Sequence, residues 1–190
     1  MALSNQHGDN RINWKVNLAV LWIGVFFAAS SYTMCVPFLP VFLLKDLGVS
    51  EADVSFWSGL VYSITFLFAA IMAPYWGAMA DKVGQKKMAI RAGVGLAITY
   101  VMSATCQNEY QFFVIRGIIG LISGFVPASM SLVSSTLPLE KMGWGMGLMQ
   151  TALSSGGILG PLIGGYLSSW FGIRASFWVS SVCLTIATLL

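Results

Sequence analysis

Long apolar stretches alternate with short polar segments along almost the whole chain. An α-helix rises about 1.5 Å per residue, so about 20 residues cross the roughly 30 Å hydrocarbon core of a bilayer. The pattern therefore predicts an all-α membrane protein whose residues 17–190 form a bundle of six transmembrane helices. The predicted spans lie at about 17–44, 56–79, 88–106, 110–137, 145–170 and 175–190.

The two ends of the chain differ from its middle. Residues 1–16 are polar for most of their length and are predicted to form a short cytoplasmic tail. The first span is longer than a membrane requires, and Pro37 and Pro40 near its outer end are expected to bend it. The sixth span has only 16 residues, fewer than the about 20 that a crossing needs. We therefore expect the sequence to be a fragment of a longer protein.

Composition agrees with a bilayer as the solvent of this chain. Hydrophobic residues make up 57% of it and charged residues 9%, whereas soluble domains carry about 25% charged residues. The net charge of +3 is small, so a nucleic-acid partner is not expected. Cys35, Cys106 and Cys183 lie far apart and His7 lies in the polar tail, which predicts neither a metal site nor a cofactor. The sequence contains no nucleophile–base pair or phosphate-binding loop, so an enzyme is not expected.

Basic residues are divided unevenly between the two predicted sides of the membrane. With a cytoplasmic N-terminus, the inner segments hold seven basic residues and the outer segments hold two. Cytoplasmic loops of membrane proteins carry such an excess, so the distribution predicts a cytoplasmic N-terminus. The inner residues are Arg11, Lys15, Lys82, Lys86, Lys87, Arg91 and Lys141, and the outer ones are Lys45 and Arg174.

The polar segment 77–87 separates the second predicted span from the third. Its glycines, Gly77 and Gly84, are expected to permit a tight reversal of the chain. Asp81 follows the C-terminal turn of the second span, where the helix dipole disfavours a carboxylate. We therefore expect a compensating partner. That partner is either a nearby lysine or arginine in a surface ion pair, or a group that contacts Asp81 in one conformation of the protein only.

Arg116 is the one charge predicted to lie deep within a span, because Arg91, at the inner end of the third span, is counted with the cytoplasmic segments and all seven acidic residues fall in loops or at span ends. A charge at the bilayer centre costs about 2.5–3.5 kcal/mol on insertion scales. Two explanations remain open. The side chain either extends to the outer interface, or it is a buried cation that faces the bundle interior. In the second case it holds an anionic group or shifts the pKa of a neighbouring carboxylate.

Small residues recur at helical spacing in the fifth predicted span. Gly156, Gly160 and Gly164 stand four residues apart and predict a smooth stripe on one helix face. Pro161 removes one backbone hydrogen bond and is expected to bend this helix. The stripe is either a packing groove for another helix or a pliable contact that re-packs during a conformational change. A similar stripe follows Arg116, at Gly117, Gly120 and Gly124.

Together these motifs resemble those of the major facilitator superfamily, and in particular its twelve-span drug:proton antiporters. The segment 77–87 resembles the superfamily signature between the second and third helices. Arg116-Gly117-x-x-Gly120 is similar to the fourth-helix motif, and the run from Gly156 to Gly165 is similar to the fifth-helix motif of antiporters. Pro37-Phe38-Leu39-Pro40 resembles the first-helix proline pattern of twelve-span drug exporters, and the four motifs occur in the order that the family has.

The resemblance implies two six-helix halves around a central cavity that opens alternately to each side, with this chain as the N-terminal half. It also departs from the family in two ways. Gln85 stands where the loop usually has arginine, and the first span lacks the acid that some exporters use for drug and proton. The implied roles are a conformational latch for Gly77, Asp81, Lys82, Gly84, Lys86 and Lys87, proton coupling for Arg116, and helix hinging or packing for Gly156, Gly160, Pro161, Gly164 and Gly165.

The function that the resemblance implies is secondary active efflux of small, fairly apolar drugs across a bacterial inner membrane, coupled to protons. The expected partners are the lipid bilayer, the drug, protons and the C-terminal half of the same transporter. Facilitated or inward transport by the same fold is an alternative. A six-span membrane module that transports nothing is another.

Overall fold

The computed structural model describes residues 14–189, and all regular structure in that part of the chain is helical. Single 3-10 turns at Val36–Phe38 and Leu139–Lys141 join neighbouring helices. The α-helices are α1 (Trp14–Cys35), α2 (Leu39–Lys45), α3 (Val54–Val83), α4 (Gln85–Thr105), α5 (Glu109–Ile122), α6 (Phe125–Thr136), α7 (Met142–Phe171) and α8 (Ile173–Leu189).

The first predicted span is not one uninterrupted helix. Pro37 lies in the 3-10 turn between α1 and α2, and Pro40 lies in the first turn of α2. Proline has no N–H and is therefore tolerated at the start of a helix, where that donor has no partner in any case. The Tyr62 hydroxyl donates to the carbonyl of Val36, the acceptor that the missing Pro40 N–H leaves without its α-helical donor.

α3 continues further than the hydrophobic pattern indicates. It ends at Val83, so Asp81 lies within its last turn instead of after it. Gly84 alone connects α3 to α4, with φ of 103°, a conformation that side chains disfavour. Gly77 is helical, so the expectation that both glycines form the reversal is wrong.

The fourth predicted span is divided in two. α5 ends at Ile122 and α6 begins at Phe125. Gly124 has φ of 134°, which is outside the range of an α-helix and requires glycine at this position. The hydrophobic pattern contains no sign of this break. α5 begins at a local cap, because the Asn108 side chain accepts a hydrogen bond of 2.8 Å from the Gln111 N–H.

The glycine stripe of α7 packs directly against α1. Gly156, Gly160 and Gly164 are all buried. A Cβ at Gly156 would lie 2.7 Å from the Ala29 Cβ and 2.8 Å from the Phe26 carbonyl oxygen. The absence of side chains therefore sets the distance between the two helices.

The rest of α7 is part of the same helix, which runs without a break through Pro161. Gly165 lies beyond the stripe, and a Cβ there would come within 3.3 Å of the Phe38 ring.

α1, α4 and α8 form the centre of the bundle. α8 packs on both α1 and α4, α7 packs on α1, and α3 packs on α5. Serines join α1 to α8: the Ser31 hydroxyl donates to the Ser180 carbonyl at 3.2 Å, and the Ser180 hydroxyl donates to the Ser31 carbonyl at 3.1 Å. Such bonds favour a fixed register between helices in lipid.

Four helical segments are long and apolar enough to cross a membrane by length and composition: Trp14–Lys45, Val54–Val83, Gln85–Thr105 and Glu109–Thr136. The helix Ile173–Leu189 is apolar but shorter. α7 has 30 residues, and its many glycines and serines reduce its hydropathy. α3 is the least enclosed of the four, with only 11% of its most apolar window buried.

The contact between α1 and α7 generates a prediction about stability. Replacing Gly160 with alanine would bring a Cβ against the Thr33 hydroxyl and within 2.7 Å of the Ser30 carbonyl oxygen. We expect the Gly160→Ala protein to be less stable by about 1–3 kcal/mol, the usual cost of overpacking. The measurement is thermal unfolding in detergent. Gly157→Ala is the matched control, because nothing lies within 4 Å of its added Cβ. Equal loss of stability in both variants would contradict the packing described here.

Candidate functional site

A cavity of about 610 Å³ lies between α3, α4 and the break in the fourth predicted span. Its α3 wall is smooth, because Ala69, Ala73 and Gly77 follow one another at intervals of four residues and Asp81 continues the same face. Most of the remaining lining is apolar or aromatic. It includes Tyr32, Phe66, Trp76, Met88, Tyr100, Ile119, Phe125, Val126 and Leu184.

Asp81 and Gln85 line the same cavity, next to the loop between α3 and α4. The Gln85 amide donates to the Asp81 carboxylate over a long 3.4 Å. Within residues 14–189, no basic side chain forms an ion pair with Asp81, and the ion pair that this part of the chain shows joins Arg174 to Asp46 at 3.3 Å. Lys82, Gly84, Lys86 and Lys87 are exposed, and they lie outside the cavity lining.

Arg116 is enclosed by protein, with only 2% of its surface exposed. Its guanidinium carbon lies 5.4 Å from the centre of the Phe112 ring, and its Nε is buried without a hydrogen-bond partner among the described residues. The side chain therefore does not extend to the protein surface. The Thr65 hydroxyl donates to the Arg116 carbonyl at 3.2 Å, which fixes α5 against α3.

Thr65 connects Arg116 with the cavity. It lines the cavity, and its hydroxyl donates to the Arg116 carbonyl. Arg116 itself is not part of the lining. The positive charge thus stands behind the cavity wall, where it contributes to the potential inside.

The structure brings together only part of the set of residues that the sequence singled out. Gly77 and Asp81 line the cavity and Arg116 lies behind its wall. The glycines of α7 pack against α1 instead. Pro161 lies on the same helix, and Pro37 and Pro40 lie where α1 gives way to α2.

Three features of the cavity were missed by sequence reasoning. These are the break at Ser123 and Gly124, the indole of Trp76, and Arg91, which was counted among the basic residues of the cytoplasmic segments. Arg91 lines the cavity and is partly buried. The sequence contained one indication of this, because Arg91 lies seven residues after Gly84 and within the third predicted span.

Comparison with known proteins gives consistent results. The sequence profile of the Major Facilitator Superfamily matches residues 21–190. The chain is 40% identical over 183 residues to the multidrug resistance protein MdtG of Escherichia fergusonii, covering 96% of this chain and 45% of that protein. It is 42% identical to MdtG of Salmonella arizonae over 96% of this chain and 45% of that protein. The chain thus spans about half the length of these curated relatives.

Two solved structures share the arrangement of helices. The human organic anion transporter MFSD10 (TETRAN) superposes with a TM-score of 0.79 at 20% identity, over 93% of this chain and 47% of that one. The Escherichia coli fucose:proton symporter FucP superposes with a TM-score of 0.75 at 12% identity, over 91% and 41%. At these identities the likeness concerns the fold alone.

The helical bundle and these structural neighbours agree with one another, and the profile match extends over most of the chain. This protein, a multi-pass membrane protein, belongs to the major facilitator superfamily.

Proposed function

We propose that this chain is the N-terminal half of a secondary active transporter that exports small, fairly apolar compounds in exchange for protons by alternating access. The membrane is the bacterial inner membrane, and the N-terminus faces the cytoplasm. The observation that carries the proposal is the largely apolar cavity of about 610 Å³ beside α3. The names of the MdtG relatives, which are multidrug resistance proteins, support the export of drugs.

The cavity has the size and chemistry that such a substrate requires. Sites for small molecules usually measure about 300–1,000 Å³ and are lined mainly by apolar and aromatic groups. Aromatic and aliphatic walls bind apolar compounds through the area that both remove from water. The lining offers few polar groups for a specific hydrogen-bond pattern, which favours a range of related compounds over one.

A second half is needed to complete the substrate pathway. α3 and α7 expose large apolar side chains that another part of the protein or lipid must cover. We assign part of these faces to the C-terminal half, since the relatives are about twice as long as this chain. The exposed residues include Phe66, Leu67 and Ile71 on α3, and Ile158, Leu162 and Tyr166 on α7.

Arg116 has the properties of a coupling charge. A buried guanidinium without an acceptor is unfavourable, so an anionic group that approaches it is stabilised. A carboxylate of the second half or of the substrate would be stabilised more in its ionised form than in its protonated form. Protonation of that group therefore weakens its attraction to Arg116. The relative energies of the transporter with and without bound substrate then depend on whether the group is protonated.

Two other functions are compatible with the fold. Inward transport has a specific argument, because FucP is described as a fucose:proton symporter and has the same arrangement of helices. A six-span module that moves no substrate is the other alternative.

The first experiment distinguishes these functions. We expect cells that produce the full-length protein to accumulate less of the lipophilic dye Hoechst 33342 than control cells, and a protonophore to abolish the difference. Greater accumulation would identify inward transport, and no change across several lipophilic dyes would contradict transport of this substrate class. Residues 1–190 produced alone are expected to move no dye, because they supply only part of the pathway.

The second experiment concerns Asp81. We propose that Asp81 latches one of the two conformations, because it has only a long contact to Gln85 in this structure. Asp81→Asn is expected to change the reactivity of single cysteines on the two sides of the full-length protein in opposite directions, while protein amounts stay normal. Asp53→Asn is the control, because Asp53 lies outside the cavity lining and accepts a local hydrogen bond from Ser50. Unchanged reactivity on both sides in Asp81→Asn would contradict the latch.

The third experiment concerns Arg116. Lysine keeps the charge but loses the planar fork of donors. We expect Arg116→Lys to lower proton-driven dye efflux at least tenfold while the protein still inserts into the membrane, and Arg116→Ala to lower it at least as much. Arg174→Lys is the control at a partly buried ion pair outside the cavity lining. Efflux by Arg116→Lys at the wild-type rate would show that any cation suffices and would contradict the coupling role.

A further inference from the structure

The break in the fourth predicted span exposes backbone acceptors inside the bundle. α5 ends at Ile122 and α6 begins at Phe125, so the carbonyls of Leu121 and Ile122 lose the N–H partners of a continuous helix. Inside a bilayer, water does not replace such partners, and an unsatisfied carbonyl is strongly unfavourable. Ser123 satisfies the preceding turn locally, since its hydroxyl donates to the Gly120 carbonyl at 2.8 Å.

Side chains from two other helices donate to the carbonyls of Leu121 and Ile122. The Trp76 indole N–H on α3 donates to the Leu121 carbonyl at 2.7 Å. The Nη2 of Arg91 on α4 donates a hydrogen bond to the Ile122 carbonyl oxygen at 3.0 Å. Three helices are therefore joined at one point.

The two donors also hold each other in place. The guanidinium carbon of Arg91 lies 3.5 Å from the centre of the Trp76 ring, a close stacking contact. The Nε of Arg91 is buried without a hydrogen-bond partner among residues 14–189. A planar guanidinium offers both stacking and a directed hydrogen bond at this position, and an ammonium does not offer this combination.

The position of this contact relates it to the cavity. Trp76 immediately precedes Gly77 on α3, and Arg91 follows the loop on α4, so the pair flanks the segment that contains Asp81. Trp76, Arg91, Ser123 and Gly124 all line the 610 Å³ cavity. A movement of α3 against α4 must either carry the break along or separate it from one of its two donors.

We propose that Arg91 and Trp76, the Arg91–Trp76 brace, are positioning residues that hold the break of the fourth span in place and thereby shape the cavity wall. The consequence for substrate rests on the proposed transport function, whereas the consequence for the break does not. Neither residue reacts with substrate or proton in this role. They act through the residues around Ser123 and Gly124.

The experiment uses the full-length protein with two conservative variants and their double mutant. Trp76→Phe keeps an aromatic ring but removes the donor, and Arg91→Lys keeps the charge but removes the planar stack. Amide hydrogen exchange of the peptide that covers residues 117–128 is expected to accelerate about five- to tenfold in each single variant, the effect of losing about one hydrogen bond. The double mutant is expected to be no faster than the faster single variant, because both donors secure one structure.

Dye transport tests the consequence for substrate. We expect the KM for Hoechst 33342 to rise at least threefold in both variants with a smaller change in the maximal rate per folded protein, since the cavity wall changes shape. A merely structural role would lower the amount of folded protein and leave KM unchanged. Trp170→Phe, at an exposed indole, and Arg174→Lys are the matched controls.

Each outcome decides a separate point. Unchanged exchange in 117–128, or multiplied effects in the double mutant, would overturn the brace whether or not the protein transports dye. Faster exchange with an unchanged KM would overturn the positioning role. If the wild-type protein transports no dye, the proposed function fails, and the exchange measurements still decide whether the brace holds the break.

Discussion

A backbone carbonyl inside a bilayer must find its donor within the protein, and the irregular points of this bundle are arranged around that requirement. At the end of α1 the Val36 carbonyl accepts from the Leu39 N–H and also from the Tyr62 hydroxyl on α3. At the break of the fourth span the donors are Trp76 and Arg91. In each case a side chain from another helix donates a hydrogen bond at the irregular point. The hydrogen bond is therefore also a contact between helices. Apolar surface gives little drive for helices to associate in lipid, so these contacts matter more than they would in water.

Close packing at glycines is the second contribution to association. Gly160 places α7 against the backbone of α1, and Gly120 places α5 against the Thr65 carbonyl of α3. α3 and α7 are thereby attached along one face each and expose apolar side chains on the other. Hydrogen bonds hold both contacts in register: the Thr65 hydroxyl and the Trp76 indole on α3 donate to the α5 backbone, and the Thr33 hydroxyl on α1 donates to the Gly156 carbonyl of α7.

The sequence predicted the helical class, the order of the apolar segments and the close-packed glycine stripe, because hydropathy and small-residue spacing act over a few helical turns. It did not predict the break at Ser123 and Gly124. A serine and a glycine interrupt an apolar run too briefly to change its mean hydropathy, and the donors that stabilise the break come from 45 and 31 residues away. Arg91 was counted among the basic residues of the cytoplasmic segments for a related reason. A charge near a span end can lie either in a cytoplasmic segment or inside the bundle, and the sequence does not show which helix packs beside it.

Arg116 shows how a fixed charge and a mobile proton are separated in the proposed transporter. Arginine does not lose its proton in proteins, so Arg116 cannot itself carry the coupled proton. Its side chain is almost completely enclosed. The spans predicted in this chain contain no carboxylate in their interior. In the proposed mechanism a group other than Arg116 gains and loses the proton, and Arg116 acts by setting the energy difference between the two protonation states of that group.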